Sequence, residues 1–214
     1  MYINRGLPSA LRGKFDKVFQ QNLFQGKTSK SGNGSTMEQT REIARALPAL
    51  ISRLSIKSIL DIPCGDLEWM SKVELSGAKY IGCDVAPSLV NHLKSEFPKR
   101  DFSVVDISKD SLPQVDLIFC RDLFVHLSNK DISASIKNIK DSKSTYLATT
   151  TFLGRNKNKD LPIISRGIAW RTLNLQISPF NFPKPLEVID EKCTEGNGNY
   201  SDKTIAIWEI KDLV

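Results

Sequence analysis

Apolar residues recur at Leu11, Phe15, Val18, Phe19 and Leu23, the spacing of one helix face, so the chain opens on an amphipathic helix. Gly26 to Thr36 interrupts that pattern with a run of loop formers, Gly-Lys-Thr-Ser-Lys-Ser-Gly-Asn-Gly-Ser-Thr. Ser35 with Glu38 three residues on reads as a capping box, and Ile43, Leu47, Leu50, Ile51 and Leu54 give the next helix its apolar face. From Ser58 onward the pattern changes. Ser58 to Pro63 is a short apolar run, repeated at Lys79 to Asp84, Phe102 to Asp106, Val115 to Cys120 and Thr145 to Thr150, as expected of strands buried on both faces. Helices fit between them at Glu68 to Leu75, Ser88 to Phe97 and Asn129 to Ile139. This alternation predicts an α/β fold with a mostly parallel sheet covered on both sides. Leu186 to Glu191 and Thr204 to Ile210, joined around Gly196 to Asn199, predict an antiparallel hairpin at its edge.

The length of 214 residues suits one domain. Its parts are a helical cap over 1–57, a core over 58–152, an insertion over 153–185 and the hairpin over 186–214. With 40% apolar and 25% charged residues the chain is neither a disordered tail nor a fibre. No run of 18 apolar residues occurs, which excludes a membrane-spanning helix. Met1 to Ala10 carries no secretory pattern, so a cytoplasmic protein with reduced thiols is expected. The net charge of +6 would favour an anionic partner, yet the lysines are spread along the chain rather than clustered with aromatics, which weakens a nucleic-acid reading.

In an open α/β sheet, ligands bind beyond the carboxyl ends of the strands. Those ends read Asp61-Ile-Pro-Cys-Gly-Asp66, then Asp84, then Asp106-Ile107, then Arg121-Asp122. Asp84 follows Gly65 by 19 residues, the separation that lets a carboxylate accept from both hydroxyls of a ribose. Asp106 could accept from an exocyclic amine such as adenine N6. An aspartate after a strand also simply begins a turn, but four strand ends with the same residue type point to a bound nucleoside. The first turn has one glycine and two acids, and it would repel a pyrophosphate. It suits a cationic group such as an α-ammonium, so charge favours S-adenosylmethionine over a dinucleotide.

These segments, Ile59 to Asp66, Tyr80 to Asp84, Val105 to Ile107 and Asp116 to Asp122, resemble the successive motifs of class I S-adenosylmethionine-dependent methyltransferases, most of all the small bacterial enzymes acting on sugars and other small molecules. The first motif departs from the family's Gly-x-Gly-x-Gly, with Pro63 and Leu67 in place of the outer glycines. The resemblance implies a Rossmann-like sheet with S-adenosyl-L-methionine as cofactor. Asp61, Pro63, Cys64, Gly65, Asp66 and Trp69 would surround its methionine part, Asp84 and Val85 its ribose, Asp106 and Ile107 its adenine, with Arg121 nearby. The Ser31 to Thr36 loop at the start of the second helix, with Ser35 and Thr36 in it, could offer backbone N–H groups to its carboxylate.

Asp122 and His126 are four apart, one face of a helix, so Asp122 could orient His126 as a general base or take the proton itself. His92 reads as structural. In the insertion, Gly154 to Lys159 reads as a mobile basic loop, Trp170 and Phe180 as pocket walls, and Arg171 with Asn174 as the groups that recognise a small polar or anionic acceptor. Nucleic acid is the alternative acceptor, and a non-catalytic cofactor-binding protein the alternative class. Cys64, Cys83 and Cys120 fall near neighbouring strand ends, but two of them alternate with cofactor-binding positions, so no metal is expected.

Overall fold

Ile59 and Leu60 point to opposite faces of a pleated strand, and both are wholly buried, so the strand is covered on both sides. In the computed structural model, which describes residues 10–161 and 169–214, that strand is β1 (Ser58–Asp61) of a seven-stranded sheet. The others are β2 (Lys79–Asp84), β3 (Asp101–Val104), β4 (Leu117–Cys120), β5 (Tyr146–Phe152), β6 (Glu187–Asp190) and β7 (Lys203–Glu209). Their order is β3-β2-β1-β4-β5-β7-β6. The first five strands run parallel, and β7 is antiparallel to both β5 and β6. The hairpin is thus present, but its second strand lies inside and its first forms the edge.

The helices are α1 (Ala10–Gln21), α2 (Met37–Arg53), α3 (Pro87–Glu96) and α4 (Asn129–Asp141). Ile43, Leu47 and Leu50 of α2 and Leu89, Val90 and Leu93 of α3 share a core with Ile59, Leu117 and Ile207. Ile132, Ile136 and Ile139 of α4 pack with Leu60, Ile118, Leu147 and Ala206 on the other face. α1 is tied to α3 by Asp16, whose Oδ1 accepts from the Ser88 amide at 2.7 Å, at an N-terminus where Ala86 has no side-chain acceptor to give.

Four sequence expectations are corrected. Glu68 to Leu75 holds turns and a single 3-10 turn at Met70–Lys72, not a helix; Leu67 at φ 57 breaks helical continuity, and Leu67, Trp69 and Met70 are all buried. The cap of α2 is Thr36, which accepts from the Gln39 amide, one residue beyond Ser35. The insertion is largely packed rather than open. Leu173, Leu175, Phe180 and Phe182 enter the core with Trp208, Phe152 donates its amide to the Leu173 carbonyl at 2.7 Å, and Asn158 bonds the Asn174 and Ser178 carbonyls. The basic loop is pinned as well, through the Arg155–Asp202 ion pair at 2.7 Å. His92 sits half exposed beside Glu96 at 3.1 Å.

Candidate active site

The chain leaves β1 toward β2 on one side and reaches β4 on the other, so a crevice opens beyond their carboxyl ends. A cavity of about 510 Å³ fills it. Of the residues singled out in the sequence, Ser35, Asp61, Pro63, Cys64, Gly65, Asp66, Trp69, Asp84, Val85, Arg121, Asp122, His126 and Trp170 border this cavity. Thr36, Asp106, Ile107, Arg171 and Asn174 do not.

Asp84 closes β2 with its side chain tied to the β1 turn. Oδ2 accepts from the Gly65 amide at 3.3 Å and Oδ1 from the Ala86 amide at 3.0 Å, with a further backbone bond from Val85. Burial nevertheless pushes its pKa up to about 6. Asp61 is pushed up to about 7 by burial, although Tyr80 donates to its Oδ2 at 2.6 Å. Two buried acids held this high form a site short of positive charge, which fits a cationic ligand. Gly65 shows why the turn has a glycine: at φ 55 it is left-handed, and a Cβ there would stand 2.5 Å from Ser31 Oγ.

Asp66 borders the cavity and also holds the neighbouring loop. Its Oδ1 accepts from Ser29 Oγ at 2.9 Å and its Oδ2 from the Lys30 amide at 2.6 Å, so it fastens the 26–36 loop to the β1 turn. Within that loop the amides of Ser35 and Thr36 are spent on the Gly32 and Asn33 carbonyls, both at 3.1 Å. No described residue accepts from the amides of Asn33 and Gly34, both of which border the cavity. Within the Ser31 to Thr36 loop it is thus Asn33 and Gly34, rather than Ser35 and Thr36, whose amides are open at the cavity. Asp106 lies two residues beyond β3, and its Oδ1 accepts from the amide and hydroxyl of Ser108 at 3.0 and 2.6 Å. With Ile107 it borders a separate recess of about 20 Å³ closed over by Leu11 and Phe15 of α1.

Beyond β4 stands a buried ionic cluster. Arg121 donates to Glu191 Oε2 through Nε at 3.0 Å and through Nη2 at 2.5 Å, and also to the Gly34 carbonyl at 3.0 Å. Asp122 lies 3.2 Å from Arg121 Nη1, and Lys203 Nζ donates to its Oδ2 at 2.7 Å. Burial alone would raise the Asp122 pKa, but Arg121 and Lys203 outweigh it and hold the carboxyl well below its usual range. Asp122 and His126 do not share a helix face, because Asp122 has φ 55 and only Phe124–His126 form a 3-10 turn. His126 is oriented instead by the Ala169 carbonyl, 3.1 Å from Nδ1. A carbonyl only accepts, so Nδ1 carries the proton and Nε2 holds the lone pair. Burial lowers the His126 pKa and keeps the ring neutral.

In the insertion only Trp170 meets the expectation. Arg171 turns away from the cavity, donating to the Leu127 carbonyl at 2.6 Å and to Asn129 Oδ1 at 2.9 Å, and so fastens the insertion to the start of α4. Asn174 is spent likewise, donating to the Arg155 carbonyl at 2.8 Å and accepting from the Gln176 amide at 3.0 Å. Phe180 belongs to the core. Arg171→Ala should therefore cost about 2 kcal/mol of stability, measured by urea unfolding, with the acceptor KM unchanged. A raised acceptor KM at unchanged stability would contradict this assignment.

Several cavity residues went unread in the sequence. Lys203 follows the hairpin loop, Tyr200 and Glu195 lie within it, and Phe24 follows α1; Glu191, which does not border the cavity, holds Arg121 from the loop's other end. The strand-end position of Glu191 was the one available signal. Among the described residues no three His, Cys, Asp or Glu side chains are placed to hold a metal ion, and no helix is long and apolar enough to cross a membrane.

Residues 60–142 match the family model described as a methyltransferase domain. No curated protein matches the chain. Among solved structures, the Burkholderia thailandensis 1,6-didemethyltoxoflavin-N1-methyltransferase superposes with a TM-score of 0.62 at 11% identity, over 97% of this chain and 93% of that one. A protein from Pyrococcus horikoshii OT3 gives 0.54 at 17% identity, over 82% of this chain and 92% of the other. Human N-acetylserotonin methyltransferase gives 0.51 at 16%, over 78% of this chain and 51% of that longer one. The domain match covers the middle of the chain, and over nearly its whole length the fold is that of the Burkholderia methyltransferase structure.

Proposed function

We propose that the protein methylates a small polar or anionic molecule, with Asp84 gripping the cofactor ribose and His126 receiving the acceptor's proton. S-adenosylmethionine supplies an electrophilic methyl group on a sulfonium, whose sulfur leaves with the bonding electrons. The chain's residues bind, align and handle the proton. Asp84 offers its carboxylate to the ribose hydroxyls, Asp61 offers negative charge to the α-ammonium, and the Asn33 and Gly34 amides face the carboxylate. Val85 and Ala86, next after Asp84, offer apolar surface to adenine. A small acceptor is supported by the size of the cavity, which is of the order that drug-sized ligands fill. Alignment of acceptor and methyl group supplies much of the rate, and Asp122, locked as a carboxylate, steadies a protonated His126 rather than taking the proton itself.

The observation that carries this reading is the position of Asp84, at the end of β2, tied to the Gly65 turn and bordering the cavity. Calorimetry with S-adenosylhomocysteine tests it. Asp84→Ala should lose two hydrogen bonds to a charged group, about 3 kcal/mol or roughly a hundredfold in Kd. Equal affinity of parent and variant would overturn the reading, as would a failure of the parent to bind. Transfer of isotope-labelled methyl from S-adenosylmethionine into metabolite extracts separates an enzyme from a protein that only binds.

A further inference from the structure

Val85, Ala86 and Leu89 border the cavity by Asp84, together with Val18 and with Phe19, whose ring lies 6.1 Å from His92 of α3. Elsewhere the cavity gathers Phe24, His126, Phe152, Trp170, Tyr200 and Lys203, drawn from five separated stretches of chain. Trp170 stacks near Phe152 at 6.5 Å and meets Tyr200 edge-on at 4.8 Å, while Phe24 lies 5.4 Å from the His126 ring. Trp170 nevertheless remains 42% exposed at the cavity wall, a large apolar surface that its protein neighbours leave partly uncovered. Adenine does not account for these rings, because it is expected beside Val85 and Ala86, next after the ribose-binding Asp84.

Lys203 adds a directional feature. Its side chain is 6% exposed, and among described residues its ammonium meets Asp122 Oδ2 at 2.7 Å and, at the longer distance of 3.8 Å, Glu191 Oε2. An ammonium has three N–H donors, so at least one has no partner among the described residues. The carboxylates beside it sustain its charge. Glu195 also borders the cavity, and Gly34 and Cys193 are close to its Oε2.

We infer that the acceptor is a planar aromatic molecule bearing an anionic oxygen, its ring lying among Trp170, Tyr200 and Phe152 and its oxygen on Lys203. This deepens the proposed methyl transfer and rests on that reading, since it names the kind of molecule that reaches His126. Aromatic rings prefer offset or edge-on contact with other rings, and a buried ammonium with an idle donor favours an oxyanion. A saturated sugar ring would satisfy neither wall as well.

Three probes with the protein loaded with S-adenosylhomocysteine test this by ligand-observed NMR titration: 4-hydroxybenzoate, 4-hydroxybenzylamine and 4-hydroxycyclohexanecarboxylate. The second reverses the charge and the third removes planarity. The expected result is that 4-hydroxybenzoate binds at least about tenfold more tightly than either. Trp170→Ala, at a half-exposed position, should weaken 4-hydroxybenzoate several-fold with S-adenosylhomocysteine affinity unchanged. Lys203→Met should bring the benzoate and the benzylamine to similar affinity, and Lys203→Arg should preserve their order and serves if the Met variant does not fold. Equal binding of the saturated or the cationic probe would overturn the inference. So would an unaltered Trp170→Ala, or no benzoate binding by protein that does bind S-adenosylhomocysteine. Failure of the parent to bind S-adenosylhomocysteine would instead bring down the methyltransfer reading itself.

Discussion

Replacing His126 by alanine is expected to lower kcat by about 10²- to 10⁴-fold, the usual contribution of a positioned general base. Cofactor affinity should stay within a few-fold of the parent. The argument rests on the tautomer. The Ala169 carbonyl accepts a hydrogen bond from Nδ1–H, so Nε2 is left as the basic atom, and burial holds the ring neutral. Asp122 is a poor competitor for the proton, because Arg121 and Lys203 keep it ionised far below neutral pH. The sign of the pH dependence follows. The active form of His126 is neutral and its pKa is lowered from 6.5, so kcat should be flat at neutral pH and fall only as pH drops below that value. Single-turnover rates across pH, for parent and His126→Gln, read this directly. An acid limb that persists unchanged in the Gln variant would assign the proton to another group.

Arg121→Leu is the second large effect, and it concerns stability. Glu191 is 2% exposed, and Arg121 gives it both of its short hydrogen bonds. Removing the guanidinium strands a buried carboxylate, a loss of about 3–5 kcal/mol. That is a large share of the roughly 5–15 kcal/mol by which folded proteins are stable. The double variant Arg121→Leu/Glu191→Leu should recover most of the loss, because replacing both members of a buried pair with apolar groups is often near neutral. Urea midpoints at constant m measure both. A double variant no more stable than the single would mean that the deficit comes from elsewhere, for instance from the lost bond to the Gly34 carbonyl.

The parallel strands were legible because burial on both faces leaves short, continuous apolar runs such as Ser58 to Pro63 and Val115 to Cys120. Asp61 and Asp84 were legible for a related reason: a residue at the carboxyl end of such a strand has nowhere to go but the crevice. Arg171 and Asn174 misled because a polar residue in an irregular segment either faces a ligand or satisfies backbone carbonyls, and its identity is the same in both cases. Within the Ser31 to Thr36 loop the sequence could not say which amides stay open, because the 3-10 turn at Asn33–Ser35 consumes those of Ser35 and Thr36. The absent helix at Glu68 to Leu75 turned on the left-handed backbone of Leu67, which a leucine adopts only when its surroundings impose it.

Periodicity, capping chemistry and the acids at strand ends are properties of neighbours along the chain, and from them came the parallel sheet, its helical layers and the cofactor face. The ionic cluster of Arg121, Asp122, Glu191 and Lys203 joins residues some 70 to 80 positions apart. It exists because β7 inserts between β5 and β6, which brings Lys203 to the mouth of the crevice. The aromatic part of the cavity has the same origin. Long-range packing sets the direction in which each of those side chains points, and no spacing along the chain encodes a direction.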